Sequence, residues 1–259
     1  MDLLSQTGIR RLVAQGLSLC RSRVSVCLLC LARCPPGPGL CAACMASLPM
    51  PTWSCQRCRE PVAAGVELCA CCRQRERLFA HCIAPLVYTC PVSGLIKRAK
   101  YSRQLLCVRP LVSCLQQALA AEYGEGKSQQ PWPEALIPVP LHWWKLRCRG
   151  FNLAAFIARR LGTQLDVPVL PSHVRRLGST RNQQGLSARA RQANVRQVFS
   201  IKKPVRCRHL ALVDDVLTTG ATAESLCRTL CAQGVKRVDL WCLARTPGHE
   251  YRPTDIAKD

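Results

Sequence analysis

The chain has few acidic residues, few aromatic residues and no long apolar run. Its 259 residues include 15 Asp and Glu against 37 Lys and Arg, so the formal net charge is +22, and only 5% are aromatic. No run approaches the ~20 apolar residues of a membrane-spanning helix. Near the amino terminus, Arg10 and Arg11 follow a mildly apolar start, without the apolar centre of a secretory signal. We therefore expect a cytoplasmic protein with a short amphipathic helix or loose tail at its start.

The shortage of acids is greatest between residues 141 and 213. This stretch holds fifteen Lys or Arg and one acid, Asp166. Such a positive field attracts polyanions such as nucleic acid, or small substrates such as pyrophosphates. A solvated, arginine-rich surface would have the same composition. Charge alone does not distinguish a nucleotide from a DNA strand.

Cysteine, in contrast, is abundant, with 20 in the chain and ten between Cys27 and Cys72. Without an export signal, such a pattern indicates metal binding more than disulfides. Eight of the ten form two units of Cys-x2-Cys, ten residues, Cys-x2-Cys, offset by 28 residues: Cys27, Cys30, Cys41 and Cys44, then Cys55, Cys58, Cys69 and Cys72. Four thiolates suit tetrahedral structural zinc. The spacing predicts two zinc ribbons.

Two other cysteine chemistries compete with zinc. A redox pair needs only one Cys-x2-Cys motif, and an iron–sulfur cluster is not excluded by spacing alone, although ribbon spacing favours zinc. Trp53 is the one aromatic residue within the two units. They therefore lack the stacking surface expected for binding single-stranded nucleic acid. A structural or docking role is the expectation for this segment.

After the cysteine units, apolar patterns of strand and helix length alternate. The predicted elements are a strand at 83–90, helices within 92–120 broken at Pro110, a polar loop at 122–133, a strand at 135–140, a helix at 151–161, a strand at 167–170, a long basic loop at 171–196, a buried strand from His209, a helix at 223–233 and a strand at 235–243. Strands that alternate with helices predict a parallel α/β sheet.

The most informative stretch runs from His209 to Thr222, His-Leu-Ala-Leu-Val-Asp-Asp-Val-Leu-Thr-Thr-Gly-Ala-Thr. Its buried strand ends in Asp214 and Asp215, and open α/β sheets bind ligands at the carboxyl ends of strands. The loop that follows offers backbone N–H groups, hydroxyls and a helix N-terminus to an anion. Gly220 allows the backbone to approach closely. This order of residues predicts a sugar-phosphate site.

A second anion cradle is predicted over residues 138–150. It offers Lys145, Arg147 and Arg149, and Gly150 is expected to open a helix. Arginine can grip phosphate oxygens in a bidentate manner. A basic surface loop is the alternative interpretation.

The stretch around Asp214 and Asp215 resembles the 5-phosphoribosyl-1-pyrophosphate (PRPP) motif of type I phosphoribosyltransferases. The resemblance implies that the two carboxylates face the ribose 2′- and 3′-hydroxyls. It further implies a 5′-phosphate loop and a magnesium ion that accompanies PRPP. The loop residues are Thr218, Thr219, Gly220, Ala221 and Thr222.

A wider resemblance follows from motifs that occur in one order along the chain. These are the double cysteine unit, Ile96 to Tyr101, Pro138-Val-Pro140, Arg149-Gly-Phe-Asn152, Arg176 to Gln183 with Leu186, Arg191 with Asn194, and the acidic loop. Together they resemble the ComF/GntX family, zinc-ribbon phosphoribosyltransferase-like proteins linked to natural competence and DNA utilisation. The resemblance covers about residues 25–245. It departs at Leu153, where the family often has glutamine.

This resemblance implies an architecture. The expected fold is a type I phosphoribosyltransferase-like, mostly parallel sheet with helices on both faces, preceded by a small double zinc-ribbon domain. The expected divisions are a tail at 1–24, the ribbons at 25–78, the phosphoribosyltransferase-like domain at 79–246 and a tail at 247–259. The family pattern also supports Lys100 as a residue of the PRPP site, to which we add Arg149, and we expect the 175–196 loop to close over the site as a lid.

Three functions remain open at this point. The first is a PRPP-binding protein of DNA uptake and utilisation, with PRPP, single-stranded DNA and the DNA-uptake machinery as partners. The alternative is an active phosphoribosyltransferase of nucleotide metabolism that transfers phosphoribosyl to a nitrogen acceptor, without a DNA role. The third is a zinc-ribbon adaptor with a vestigial α/β domain, against which the intact acidic loop argues. Turnover and acceptor are left undetermined.

Overall fold

The structure is a computed structural model that describes residues 25–37, 39–124, 130–177 and 198–248. Both predicted tails, apart from residues 247 and 248, and most of the predicted lid, including Arg181 and Arg191, lie outside these ranges. Contacts divide the chain into two compact units, Met1–Ser47 and Leu48–Asp259. The domains predicted at 25–78 and 79–246 stay a prediction.

The first unit contains the first cysteine repeat. Strands β1 (Ser25–Val26) and β2 (Arg33–Cys34) pair antiparallel, and the short helix α1 (Ala42–Ala46) follows. The N–H of Cys27 donates to the carbonyl of Ala32 at 2.9 Å, and Leu31 between them has a φ of 63°. Residues 27–32 therefore form a tight turn that is closed by this hydrogen bond.

The second repeat has the same local geometry within the second unit. The N–H of Cys55 donates to the carbonyl of Glu60 at 2.8 Å, and Arg59 has a φ of 55°. Ser54 and Pro61 form an antiparallel bridge, and helix α2 (Ala70–Gln74) follows. Each of these positions lies 28 residues after its counterpart, so the sequence repeat is also a structural repeat.

A parallel sheet forms the centre of the second unit. Its strands are β3 (His81–Ile83), β4 (Leu86–Val87), β5 (Ala135–Pro138), β8 (His209–Leu217) and β9 (Arg237–Arg245). The order is β3–β9–β8–β5, with β4 also pairing β9, and every pairing is parallel. The strand predicted at 167–170 is reduced to one parallel bridge between Val169 and Leu136.

Helices cover both faces of this sheet. Helices α3 (Val92–Ser102), α4 (Arg109–Tyr123), α6 (Leu153–Leu165) and α7 (Ala221–Cys231) are the longer ones. Trp241 of β9 faces α4, because its Nε1 donates to the hydroxyl of Tyr123 at 3.2 Å. Leu240 and Cys242, which point to the opposite face, pack in one cluster with α7. The predicted mostly parallel α/β class is confirmed.

The helical segment predicted at 92–120 is divided into two helices, and α6 begins two residues later than predicted. Pro110 breaks the 92–120 segment as predicted: a 3₁₀ turn (Leu105–Val108) separates the two helices, and the proline occupies the first turn of α4. There its missing N–H has no helical partner to lose. Asn152 caps α6 by accepting from the N–H of Ala154 at 3.0 Å.

The 138–150 region differs from expectation. It contains a seven-residue helix, α5 (Trp143–Arg149), and Gly150 ends that helix with a φ of 81°. The prediction that Gly150 opens a helix is therefore wrong. A glycine can adopt this left-handed conformation without a Cβ penalty, which explains its place at a helix C-terminus.

The segment predicted as a loop at 171–196 contains a strand near its start. Strand β6 (Val174–Arg176) pairs antiparallel with β7 (Phe199–Ile201), so the prediction of a loop is wrong at 174–176, and the part from residue 178 onward lies outside the described residues. Among the described residues, no helix combines the length and the apolar character needed to cross a bilayer.

A buried polar network occupies the amino end of β8 and β9. Asp239 accepts hydrogen bonds from Tyr123 at 2.7 Å and Arg237 at 3.1 Å, and lies 2.7 Å from Nε2 of His209. Burial opposes ionisation, but these bonds hold the pKa of Asp239 below its usual range. His209 is thus part of the sheet's interior structure and lies at the edge opposite the acidic pair.

Candidate functional site

The acidic pair lies where the direction of the sheet connections reverses. From β5 the chain passes through α6 to the Val169 bridge on one side, and from β8 it passes through α7 to β9 on the other. Open α/β sheets form their ligand crevice at such a point, outside the carboxyl ends of the strands. The N–H of Val139, just after β5, donates to the carbonyl of Val213 at 2.9 Å. The ends of β5 and β8 therefore lie side by side.

Asp214 and Asp215 are partly buried and close together. Oδ1 of Asp214 accepts from the N–H of Asp215 at 2.8 Å. Burial, followed by the charge of Asp215, raises the pKa of Asp214 to about 7. The pair therefore carries less than two full negative charges at neutral pH.

Lys100 completes the charge balance at this edge. Its Nζ donates to Oδ1 of Asp215 at 2.6 Å, and the two side chains are 17% and 14% exposed. Arg149 lies with its Cζ 5.5 Å from the ring centre of Tyr101, the residue after Lys100. The structure thus brings Lys100 to the acidic pair and Arg149 to the same helix end.

The loop after β8 has the form of an anion cradle. Thr218 and Thr219 are exposed, Gly220 is buried with a φ of 83°, and α7 begins at Ala221. Among the described residues, the backbone N–H groups of positions 218–220 donate no hydrogen bond, while that of Ala221 reaches Oγ1 of Thr219 at 3.4 Å. Unpaired N–H groups at a helix N-terminus favour anions. Thr222 lies in the first turn of α7, partly buried.

Two arginines hold the carbonyl side of this loop. Arg245 donates to the carbonyl of Leu217 at 3.1 Å and to that of Thr218, and Arg77 donates to the carbonyl of Thr219 at 2.9 Å. With their carbonyls fixed by guanidinium groups, the loop residues keep their N–H groups free for a ligand. No motif in the sequence had indicated Arg77 or Arg245, because their partners are backbone atoms distant along the chain.

The eight predicted metal ligands form two groups of four. Within each group the Sγ atoms all lie within 4.8 Å of one another, and the Cys30–Cys41 and Cys58–Cys69 pairs are both 3.7 Å apart. Tetrahedral zinc with 2.3 Å bonds to sulfur gives a separation of about 3.8 Å. The residues therefore fit two structural zinc sites, and the predicted double zinc ribbon is confirmed in its ligand grouping.

No family model matches the chain. The chain is 36% identical over 180 residues to competence protein F of Haemophilus influenzae, covering 68% of this chain and 78% of that protein. It is 32% identical to the DNA utilization protein YhgH of Salmonella typhi over 183 residues and of Escherichia coli over 184 residues, in both cases covering 69% of this chain and 78% of the relative.

Among solved structures, a purine phosphoribosyltransferase from Pyrococcus horikoshii matches with a TM-score of 0.31 and 19% identity. The match covers 62% of this chain and 79% of that one. A TM-score of this size does not establish a shared fold.

Proposed function

The chain belongs to the family of competence protein F and DNA utilization protein YhgH, and we propose that it binds PRPP and serves DNA uptake and utilisation. Its proposed partners are single-stranded DNA and the DNA-uptake machinery. The observation that carries the PRPP proposal is the placement of Asp214 and Asp215 beside an anion loop at the reversal point of the sheet.

Each part of PRPP has a matching group at the site. The carboxylates of Asp214 and Asp215 accept hydrogen bonds from the two ribose hydroxyls. The free N–H groups of the loop and the hydroxyls of Thr218, Thr219 and Thr222 surround the 5′-phosphate. We assign Lys100, which contacts Asp215, and Arg149, which lies against Tyr101, to the pyrophosphate, whose negative charge they would offset. Magnesium would neutralise further pyrophosphate charge, and carboxylate oxygens are ligands that suit it.

Calorimetric titration of PRPP, with and without magnesium, tests this proposal. We expect binding to the unmodified protein and loss of binding in the double variant Asp214→Asn, Asp215→Asn. The matched control is Asp166→Asn, which removes a carboxylate after α6, where a φ of 53° suits asparagine. Equal binding by the double variant, or none by the unmodified protein, would rule out the proposed site.

The same arrangement favours transferase activity as a second candidate function. A nitrogen acceptor would form a bond to ribose C1 while the bond from C1 to the pyrophosphate oxygen breaks. The bonding electrons leave with pyrophosphate, and the acceptor nitrogen gives its proton to solvent. Lys100, which contacts Asp215, would stabilise the negative charge that develops on the leaving pyrophosphate. Release of pyrophosphate that requires an added base or amine would support transfer, whereas binding without release would support a PRPP-binding protein.

A second surface supports the DNA proposal. None of the residues of α5 is buried, and Trp143 and Trp144 are 55% and 58% exposed. Lys145 and Arg147, which follow the two tryptophans along the helix, are also exposed. Aromatic rings on which bases stack, together with cations that contact phosphates, are typical of single-strand binding surfaces. We assign single-stranded DNA to this helix, which we call the α5 surface.

Fluorescence anisotropy with a labelled single-stranded oligonucleotide tests the α5 surface. The double variant Trp143→Ala, Trp144→Ala is expected to weaken binding at least roughly tenfold. Trp53→Ala is the matched control, because Trp53 is 53% exposed and lies outside the α5 surface. Affinity should fall with salt, by a slope of ~0.7 per neutralised phosphate. Salt-independent binding, or equal loss in the Trp53 control, would argue against this assignment.

A further inference from the structure

We propose that the second four-cysteine unit (Cys55, Cys58, Cys69 and Cys72) holds the loop of residues 218–222, called the phosphate loop here, in position. Metal bound by the four cysteines would then support PRPP binding without contacting PRPP. The inference rests on the proposed function and adds to it a structural role for Arg77, Glu224, Glu60 and Arg245. These four side chains connect the cysteine unit to residues 217–224.

The second four-cysteine unit is part of the protein interior. Its ligands Cys55, Cys58, Cys69 and Cys72 are all at most 5% exposed. They share one hydrophobic cluster with Phe79 before β3, Leu217 at the end of β8, and Leu226 of α7. A change in the shape of this four-cysteine unit is therefore expected to disturb the packing of a cluster that includes Leu217, at the start of the phosphate loop, since protein interiors are close-packed.

Arg77 makes the first connection. It lies five residues after Cys72, and its Nε donates to the sulfur of that cysteine at 3.4 Å. Its Nη1 donates both to the carbonyl of Thr219 and to Oε1 of Glu224, each at 2.9 Å. With the side chain only 3% exposed, one guanidinium group joins a metal-ligand sulfur to the loop backbone.

Glu224 extends this connection into α7. Its side chain is 3% exposed and pairs with both Arg77 and Arg75. Its backbone N–H donates to the carbonyl of Gly220 at 2.9 Å. A carboxylate in the first turn of this helix would repel a bound phosphate, and the two arginines neutralise it. The pairing therefore protects the anion cradle as well as holding it in place.

A second connection runs through Glu60 and Arg245. The carbonyl of Glu60 accepts from the N–H of Cys55, and its Oε2 accepts from Nη2 of Arg245 at 2.5 Å. Nη1 of Arg245 in turn donates to the carbonyls of Leu217 and Thr218. The carbonyls of residues 217, 218 and 219 thus accept hydrogen bonds from Arg245 or Arg77. Arg245 contacts Glu60 and Arg77 contacts Cys72, so both arginines are linked to the second four-cysteine unit.

The first four-cysteine unit lacks equivalents of these connecting residues. The positions 28 residues before Glu60 and Arg77 are occupied by Ala32 and Pro49, neither of which carries a charge. The cysteines repeat, but the charged groups that reach the loop do not. The two units therefore differ in role: metal in the second is expected to support the phosphate loop more strongly than metal in the first.

The test compares Cys58→Ser with Cys30→Ser, the equivalent change in the first unit, and Arg77→Lys with the control Arg73→Lys. Arg73 is exposed on α2. Arg77→Lys keeps the charge and loses the two-pronged guanidinium geometry. Metal content is measured by plasma emission, and hydrogen exchange of peptides covering 215–226 is followed without ligand. Affinities for PRPP, ribose 5-phosphate and inorganic pyrophosphate are measured well below the unfolding temperature.

We expect Cys58→Ser and Arg77→Lys to speed exchange in 215–226 and to weaken ribose 5-phosphate binding by roughly tenfold, the effect of one lost charged hydrogen bond. Pyrophosphate, which the loop does not hold, should be affected much less. Arg73→Lys should change neither measurement, and Cys30→Ser should lower affinity less than Cys58→Ser.

Two results would overturn the inference. One is a folded Cys58→Ser protein that has lost metal while loop exchange and ribose 5-phosphate affinity are unchanged. The other is an equal effect of the two cysteine variants. The exchange measurement needs no ligand, so it stays informative if PRPP does not bind at all. Failure of the proposed function and failure of this inference are thereby distinguished.

Discussion

The ammonium group of Lys100 lies 2.6 Å from the carboxylate of Asp215, although 115 residues separate them along the chain. One lysine thus faces two adjacent carboxylates. The raised pKa of Asp214 is the consequence of burial and of the neighbouring Asp215 charge. A ligand that brings hydroxyl groups and a cation to this edge relieves the repulsion between the carboxylates.

Replacing Lys100 tests this balance. Lys100→Met leaves Asp215 partly buried without its cation, so we expect the free energy of unfolding to fall by about 1–3 kcal/mol. PRPP affinity should fall roughly tenfold, the usual effect of one lost charged contact. Chemical denaturation and calorimetry measure the two quantities. Lys97→Met, on the exposed side of the same helix, is the control and should alter neither.

The pH dependence of stability follows from Asp214. Its folded pKa of about 7 lies above the unfolded value of about 3.9, so the folded state holds its proton more tightly. The resulting stabilisation is fully present below the unfolded pKa and is lost as pH rises through about 7. Between pH 5 and pH 8 the wild type should lose about 3 kcal/mol relative to Asp214→Asn. A difference that stays constant over this range would contradict the assignment.

Gly220 offers a steric test of the loop. A Cβ at this position would lie 3.2 Å from Nη1 of Arg77, and the backbone φ is 83°. Gly234 has a φ of 95° with nothing near its missing Cβ, which makes it a matched control. Each change to alanine should cost roughly 1–2 kcal/mol through the left-handed conformation. Gly220→Ala alone should also weaken PRPP binding, as calorimetry would detect.

Metal content is the fourth prediction. The two sulfur groups should hold two zinc ions per chain, and the protein should be colourless. Elemental analysis and an absorption spectrum check this. Substituting Cys34, which lies outside both groups, should leave two zinc ions, whereas Cys69→Ser should leave one. Detection of iron together with a visible chromophore would indicate an iron–sulfur cluster and would contradict the assignment of zinc.

Sequence patterns located those features whose determinants are contiguous. Asp214, Asp215 and the loop to Thr222 follow one another in the chain, so a strand, two carboxylates and a helix start could be recognised together. The cysteine spacing was equally local. Helix α5 was not recognised, because seven residues without a buried face give no helical period of apolar residues.

The sequence by itself determined the acidic loop, the two sulfur groups and the alternation of strands with helices, because short-range chemistry and periodicity encode all three. Tertiary structure decided which distant side chains reach them. Lys100 pairs with Asp215, and Arg77 and Arg245 hold the loop carbonyls, because the parallel strand order and the buried second cysteine unit bring those segments together. Contacts made to backbone atoms across such distances depend on packing and leave no pattern in the order of residues.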